Sequence, residues 1–154
     1  MSRPAYCFEL VIAVADHDAA VRKYQALFGL EPIELERAKL PSPGTRCTIF
    51  PMWDQGERGM VVSIVSSEDP ADHVSARIAQ HGEGLVYVCI DVEDIVKLRD
   101  IGHSAGVRFL SDEPAPYVVG RMLVSDPSTT HNVPFYFSQH TPDWWRLSLK
   151  GLRD

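Results

Sequence analysis

Apolar and polar residues alternate along the first part of the chain in a way that predicts a strand and then a helix. "CFELVIAVAD" (7–16) has the composition of a strand, and Asp16 and Asp18 suit the N-terminus of a helix, where carboxylates satisfy free backbone N–H groups. Gly29 is placed to end this helix. A single apolar stripe supports the helix, and it consists of Val21, Tyr24, Leu27 and Phe28.

Three further strands are predicted before residue 67. "PIELERAKL" (32–40) alternates like a strand, and "TRCTIFPMW" (45–53) with "GMVVSIVS" (59–66) predicts a hairpin around "DQGER". The first part of the chain therefore has the order βαβββ. A linker with one short helix ending near Gly82 follows.

The same order then begins again. "LVYVCIDV" (85–92) predicts a strand, and "EDIVKLRDIGHSAG" (93–106) a helix that Gly102 weakens and Gly106 ends. Strands are predicted at "VRFLS" (107–111), "YVVGRMLVSD" (117–126) and "VPFYFSQ" (133–139). "ELVIAVAD" (9–16) also aligns with "YVCIDVED" (87–94) at an offset of 87 − 9 = 78 residues. This is an internal repeat.

The repeat predicts an α+β fold of paired βαβββ modules forming a cleft, within one domain spanning residues 1–154. The expected boundaries are 5–67 for the first module, 68–83 for the linker helix, 84–139 for the second module and 140–154 for a C-terminal tail.

Side-chain alternation along the strands predicts which residues face the cleft. The larger apolar residues should pack under the helices: Phe8, Leu10, Ile12, Val14, Val62, Ile64, Val86, Val88, Ile90, Phe135 and Phe137. The positions between them face the cleft, and polar side chains occur there at Glu9, Ser63, Tyr87 and Tyr136, with Cys89 beside them.

Composition limits the classes of partner. The chain has 154 residues, 45% of them apolar, and a net charge of −6 with no basic run. Nucleic acid and anionic membranes are therefore poor partners, and "LVIAVA" is too short to span a bilayer. A cytoplasmic protein is expected.

The three cysteines, Cys7, Cys47 and Cys89, have no CxxC spacing and are expected to be buried free thiols.

The repeated unit, opened by "IAVAD" in one half and "GEGLVYVCIDVEDI" (82–95) in the other, resembles the vicinal oxygen chelate superfamily. This superfamily contains glyoxalase I, methylmalonyl-CoA epimerase, extradiol dioxygenases and the fosfomycin and bleomycin resistance proteins. The resemblance covers roughly residues 6 to 139, with the second stretch similar to the epimerase-type pattern. It implies a homodimer. It does not select one activity, since the superfamily includes many chemistries.

In metal-dependent members, four strands each supply one ligand to a divalent cation. The resemblance places these positions on Glu9, Ser63, Tyr87 and Tyr136, the same four that strand alternation selects. Only Glu9 is a good ligand, because serine hydroxyls and neutral phenols bind such cations poorly. We therefore expect no metal and no other cofactor.

Three functions follow as hypotheses. The first is a metal-independent isomerase or lyase for an enolisable carbonyl compound, with Glu9 as acid/base and Tyr87 and Tyr136 as hydrogen-bond donors. The second is a non-catalytic protein that binds a small organic molecule, such as an aromatic compound, as bleomycin resistance proteins do. The third is a divalent-metal lyase or epimerase with atypical ligands.

Other residues are candidates for ligand binding or for the mouth of the site. Arg46 and Arg121 lie on strands, where either could bind an anionic substrate or form a salt bridge at the rim. The six histidines form no metal motif, so surface or capping roles are expected, although His131 and His140 flank the last strand. Trp144 and Trp145 are expected to cap the core.

Overall fold

A computed structural model describes residues 6–36, 40, 44–52, 60–117 and 120–141. Within them the order is that of two βαβββ modules with one helix between, which confirms the predicted fold class. The elements are β1 (Tyr6–Ala13), α1 (His17–Phe28), β2 (Ile33–Glu34), β3 (Thr45–Met52), β4 (Met60–Ser67), α2 (His73–His81), β5 (Gly84–Asp91), α3 (Ile95–Ser104), β6 (Ala115–Tyr117), β7 (Gly120–Val124) and β8 (Phe135–His140). None of the described helices is long and apolar enough to cross a membrane.

Two compact units are present, and the first consists of residues 9–86. Its strands lie in the order β2-β3-β4-β1, with β1 parallel to β4 and β3 antiparallel to β4. The Asp16 carboxylate accepts a hydrogen bond from the backbone N–H of Ala19, which begins α1 as predicted. Gly29, with φ of 65°, ends it. Only a residue without a Cβ takes this left-handed conformation at low cost.

The second unit contains residues 6–8 and 87–141 of the described chain. Its strands lie in the order β5-β8-β7-β6, with β5 parallel to β8 and β7 antiparallel to β8. The Asp94 carboxylate accepts hydrogen bonds from the backbone N–H groups of Val96 and Lys97, which begins α3. The βαβββ connectivity thus brings the first and last strands of each module side by side.

Each unit has an apolar core between its sheet and one helix. Six of the residues predicted to pack under the helices lie in or against these cores: Ile12, Val14, Val62, Ile64, Ile90 and Phe137. Under α1 the core consists of Val14, Phe50, Val62 and Ile64, with Ile12, Val21, Tyr24 and Phe28 among the residues packed against it. Under α3 it consists of Val92, Ile95 and Leu123, with Ile90 and Phe137 among its neighbours.

Two apolar side chains depart from the predicted packing. Leu27 is 71% exposed although it was placed on the buried stripe of α1. The stripe is narrower than predicted, because Tyr24 and Phe28, whose rings are stacked at 5.4 Å, fill the contact with the sheet. The ring of Phe8, in turn, makes an edge contact with the His140 imidazole at 4.9 Å.

The predicted strand at 107–111 is wrong. This segment makes only an isolated bridge between Phe109 and Ser125, and the edge strand of the sheet is β6 instead. Phe109 turns toward α3, where its ring lies over Gly102 so closely that a Cβ on Gly102 would be 2.8 Å from it. The glycine interpreted as weakening the helix therefore makes room for this ring. β2 is also shorter than predicted, at two residues.

Candidate functional site

Glu9 and Ser63 are brought together on the face of the first unit opposite α1. Glu9 pairs with Val61 across the parallel β1–β4 ladder and Val11 with Ser63, so Glu9 and Ser63 are diagonal neighbours on one face. The Ser63 hydroxyl donates to Glu9 Oε1 at 2.5 Å. Ser63 is 1% exposed and Glu9 half-buried. A hydrogen bond from a hydroxyl to a carboxylate is among the stronger neutral–charged contacts, so it orients this carboxylate.

Cys47 completes this cluster, and sequence analysis did not connect it to the site. The β3–β4 register pairs Cys47 with Val65 and Ile49 with Ser63, which puts the thiol on the same face as Ser63. Burial raises the pKa of the Cys47 thiol to about 12, and the nearby Glu9 charge adds to this, while a hydrogen bond with Ser63 opposes it. Alternation along "TRCTIF" would have placed Cys47 on this face.

Tyr87 and Tyr136 are likewise together, within the second unit. Their rings stack with centroids 4.1 Å apart and an interplanar angle of 29°. Cys89, which is 5% exposed, pairs with Tyr136 across the parallel β5–β8 ladder and so shares the face opposite α3. Burial raises the pKa of the Tyr136 phenol, with a smaller contribution from Cys89, so this phenol is protonated at neutral pH.

Arg46 and Arg121 lie on the helix-facing sides of their strands, away from these polar faces. Arg46 forms ion pairs with Asp18 at 3.0 Å and Glu34 at 2.9 Å. Its hydrogen bond to Asp18 is the main cause of the lowered pKa of that carboxyl. Arg121 donates to Gln139 Oε1 at 2.9 Å, and this oxygen also accepts from the backbone N–H that begins α3. The structure thus shows both arginines in local contacts, and a role in ligand binding stays a prediction.

Two of the histidines for which surface or capping roles were expected have buried side chains. His17, 5% exposed, lies 2.8 Å from the Ser66 hydroxyl through Nδ1 and 2.8 Å from the Thr48 hydroxyl through Nε2. His140 Nδ1 lies 2.6 Å from Asp91 Oδ1, and both side chains are mostly shielded from solvent. His131 is exposed, with φ of 56°. Trp144 and Trp145 lie outside the described residues.

Of the four positions that the resemblance assigns to metal ligands, three carry groups that bind a divalent cation poorly: Ser63, Tyr87 and Tyr136. The Ser63 hydroxyl directs its proton to the Glu9 carboxylate, and burial disfavours the phenolate that Tyr136 would need to become a ligand. In the part of the chain that the structure describes, no three His, Cys, Asp or Glu side chains are grouped closely enough to hold a metal.

Solved structures with the same fold cover nearly the whole chain. A hypothetical protein from Bacillus halodurans has a TM-score of 0.74 at 20% identity, covering 92% of this chain and 98% of its own. A variant of methylmalonyl-CoA epimerase from Streptomyces coelicolor, in complex with 2-nitronate-propionyl-CoA, has a TM-score of 0.69 at 22% identity, with coverage of 89% and 95%. The epimerase from Mycobacterium tuberculosis has a TM-score of 0.68 at 18% identity, with coverage of 93% and 91%.

Comparison of the sequence with protein-family models shows the family to which the chain belongs. Comparison with curated proteins found no match. The model of the Glyoxalase/Bleomycin resistance protein/Dioxygenase superfamily matches residues 9–122, about three quarters of the chain, and this range includes the Glu9–Ser63 pair. The chain therefore belongs to the Glyoxalase/Bleomycin resistance protein/Dioxygenase superfamily, also called the vicinal oxygen chelate superfamily.

Proposed function

We propose that this protein is a metal-independent isomerase or lyase that moves a proton next to a carbonyl group, with Glu9 as the acid/base. The observation that supports this most directly is the half-buried Glu9 carboxylate, held by the Ser63 hydroxyl at 2.5 Å. A general base needs a fixed position relative to the proton that it removes. The hydrogen bond from Ser63 contributes to that fixed position, because it holds one carboxylate oxygen of Glu9 against β4.

The surroundings of Glu9 suit proton transfer rather than a surface role. Val11, the next residue on the same strand face, is 1% exposed, and so is Ser63. A carboxylate in such surroundings has fewer water molecules to lose when a substrate binds, and its electrostatic interactions are stronger than in water. For an exposed carboxylate on a solvated sheet edge, neither effect would operate.

Tyr87 and Tyr136 have a separate proposed role as hydrogen-bond donors. A protonated phenol can donate to the oxyanion that develops when a carbon next to a carbonyl loses its proton. The raised pKa of Tyr136 keeps this donor protonated across the physiological range. Tyr87→Phe and Tyr136→Phe should each slow the reaction less than loss of Glu9, because one donor can partly replace the other.

The first substrates to test are acyl thioesters with an acidic α-carbon. Several proteins with this fold are methylmalonyl-CoA epimerases, one of them solved with methylmalonyl-CoA bound. At these identities the likeness concerns the fold, so methylmalonyl-CoA is a probe and not an assigned substrate. Other enolisable thioesters, 2-oxo acids and aldehydes belong in the same screen.

Incorporation of deuterium at the α-carbon in D₂O tests the proposal, followed by NMR or mass spectrometry. Glu9→Gln preserves shape and removes the base, so exchange should slow by roughly 100-fold or more. Glu31→Gln, at an exposed carboxylate, is the matched control and should exchange at the wild-type rate. Full exchange in Glu9→Gln would exclude Glu9 as the base.

Metal dependence is tested on the same exchange reaction. Treatment with a chelator should leave the rate unchanged. About one equivalent of a divalent metal per chain by elemental analysis, together with its loss in a Glu9→Ala variant, would instead support a metal-dependent lyase or epimerase.

A second candidate is a non-catalytic protein that binds a flat aromatic molecule. The stacked Tyr87–Tyr136 pair supports it, because an aromatic pair offers a further ring a surface for stacking. Native mass spectrometry of the purified protein would identify a ligand that co-purifies. Tight binding that survives Glu9→Gln and weakens in Tyr87→Ala, with no exchange on any carbonyl compound, would favour this candidate.

A further inference from the structure

We propose that the carbonyl compound on which Glu9 acts carries no negative charge on its reacting carbon. A general base is ionised before it accepts a proton, so Glu9 itself brings a negative charge to the face opposite α1, where Ser63 holds it. A substrate with a carboxylate on the α-carbon, such as a methylmalonyl thioester, would bring a second anion to this place. An uncharged substrate class deepens the proposed function and rests on it where turnover is concerned.

In the described strands of the first unit, a substrate carboxylate would find no Lys or Arg on the face that holds Glu9. Arg46 is the one basic residue of these strands. It alternates with Cys47 and so lies on the side of α1, where its guanidinium is 3.0 Å from Asp18 and 2.9 Å from Glu34. This arginine is therefore already paired with carboxylates, and it lies on the other side of the sheet from Glu9.

The neighbours of Glu9 on its own face are apolar or neutral. Val11, 1% exposed, follows it along β1, and Ile49, 6% exposed, pairs with Ser63 on β4. Val61 pairs with Glu9 itself. Buried apolar surroundings weaken the screening of charge by water, so two carboxylates repel each other more strongly here than at the surface. An uncharged alkyl or aryl substituent meets no such cost and gains apolar contacts.

The polar face of the second unit has a similar charge pattern. Arg121 is the one Lys or Arg of its described strands, and it donates to Gln139 Oε1, which also accepts from the Ile95 N–H at the start of α3. Arg121 therefore lies on the side of α3. The opposite face carries the Asp91 carboxylate, with His140 Nδ1 2.6 Å away. On the strands that the structure describes, neither polar face offers a Lys or Arg to an anionic substituent.

Two thioesters that differ by one charge test this substrate class on the wild-type protein. The N-acetylcysteamine thioester of methylmalonate has a single carboxylate on its α-carbon, and the corresponding amide has nearly the same shape and no charge. Deuterium exchange at the α-carbon in D₂O is measured for both and divided by the spontaneous rate of each. The acceleration should be at least roughly 10-fold larger for the amide. Equal accelerations, or a larger one for the carboxylate, would overturn the proposal.

Binding of the same two compounds, measured by NMR titration, separates the charge effect from turnover. The wild-type protein should bind the amide more tightly than the carboxylate. Glu9→Gln removes the repelling charge, so the Kd of the carboxylate should fall by roughly 10-fold while that of the amide changes little. Glu31→Gln, at an exposed carboxylate, is the matched control and should leave both Kd values unchanged.

Failure of the charge inference and failure of the proposed function give different results. Full exchange in Glu9→Gln would refute the proposed function and leave the binding comparison standing. A wild-type protein that binds the carboxylate as tightly as the amide, or that binds neither, would overturn the charge inference. An unchanged Kd for the carboxylate in a folded Glu9→Gln protein would also overturn it. If circular dichroism shows that Glu9→Gln does not fold, the wild-type comparison decides alone.

Discussion

His17 should make a large contribution to stability, although it begins a helix and no reaction is assigned to it. Its imidazole joins the start of α1 to the two strands that hold Cys47 and Ser63, through Thr48 on β3 and Ser66 on β4. Both hydroxyls lie in buried residues, as does His17 itself. Replacing His17 by alanine removes both contacts and the ring between them.

The expected loss of stability follows from the two hydroxyl groups that His17→Ala leaves without their histidine partner. Two buried hydroxyls lose a partner at once, and each costs about 1–3 kcal/mol when it is not satisfied elsewhere. A water molecule that enters the space of the ring would recover part of this. We therefore expect His17→Ala to lower the free energy of unfolding by about 3 kcal/mol, or roughly 6–12 °C in Tm for a chain of this size.

Urea denaturation followed by circular dichroism measures this loss, and two variants separate its causes. His17→Phe fills the space but cannot bond either hydroxyl, so it should remain destabilised by about 2 kcal/mol. His81→Ala, at the exposed end of α2, should stay within about 0.5 kcal/mol of wild type. A His17→Ala protein as stable as His81→Ala would refute the reasoning.

Three other perturbations have definite expected outcomes. The pKa of the Cys47 thiol is raised from 9.0 to about 12 in the folded protein, so the unfolded chain loses the thiol proton at a lower pH than the folded protein does. Stability should therefore fall as pH rises from 9 toward 12. The fall should reach about 1.4 kcal/mol per pH unit in urea titrations, and Cys47→Ala should reduce that slope. His140→Ala removes a hydrogen-bond partner of the largely buried Asp91 carboxylate and should cost about 1–3 kcal/mol in the same assay. Arg46→Ala should return the pKa of Asp18 toward its ordinary value in an NMR titration, because the hydrogen bond from Arg46 is the main cause of the lowered pKa.

Strand alternation and the repeat at an offset of 78 residues were enough to predict the fold class and to group Glu9 with Ser63. Both signals can be read directly from the sequence. Alternation depends on the backbone of one strand, and the repeat depends on the order of elements along the chain. The same alternation predicts that Tyr87 and Tyr136 share a face, and the structure shows their rings in contact. These inferences needed no knowledge of which strands are neighbours.

Contacts between distant parts of the chain were not predictable in this way. Nothing around His17 indicates that Thr48 and Ser66 lie beside it, because β3 and β4 reach it only after the sheet has formed. His140 and Asp91 are likewise 49 residues apart in sequence and meet because β5 and β8 are parallel neighbours.

The edge strand of the second unit was misassigned for a similar reason. "VRFLS" has strand composition, but Phe109 contributes more to the core by packing on α3 than by extending the ladder. Pro116 occupies the edge strand β6, where a residue without an N–H costs least. Local propensity thus predicted the wrong segment, and side-chain packing determined the right one.

A serine at a position that the resemblance assigns to a metal ligand has consequences for the chemistry proposed for Glu9. A divalent cation beside a carboxylate would hold it in the ionised form and compete with any proton for its oxygens. A hydroxyl donor also stabilises the ionised carboxylate, but more weakly and at one oxygen. In the proposed reaction Glu9 must accept a proton and later release it. A hydrogen bond from Ser63, rather than a bound cation, therefore fits the role of proton acceptor and donor proposed for Glu9.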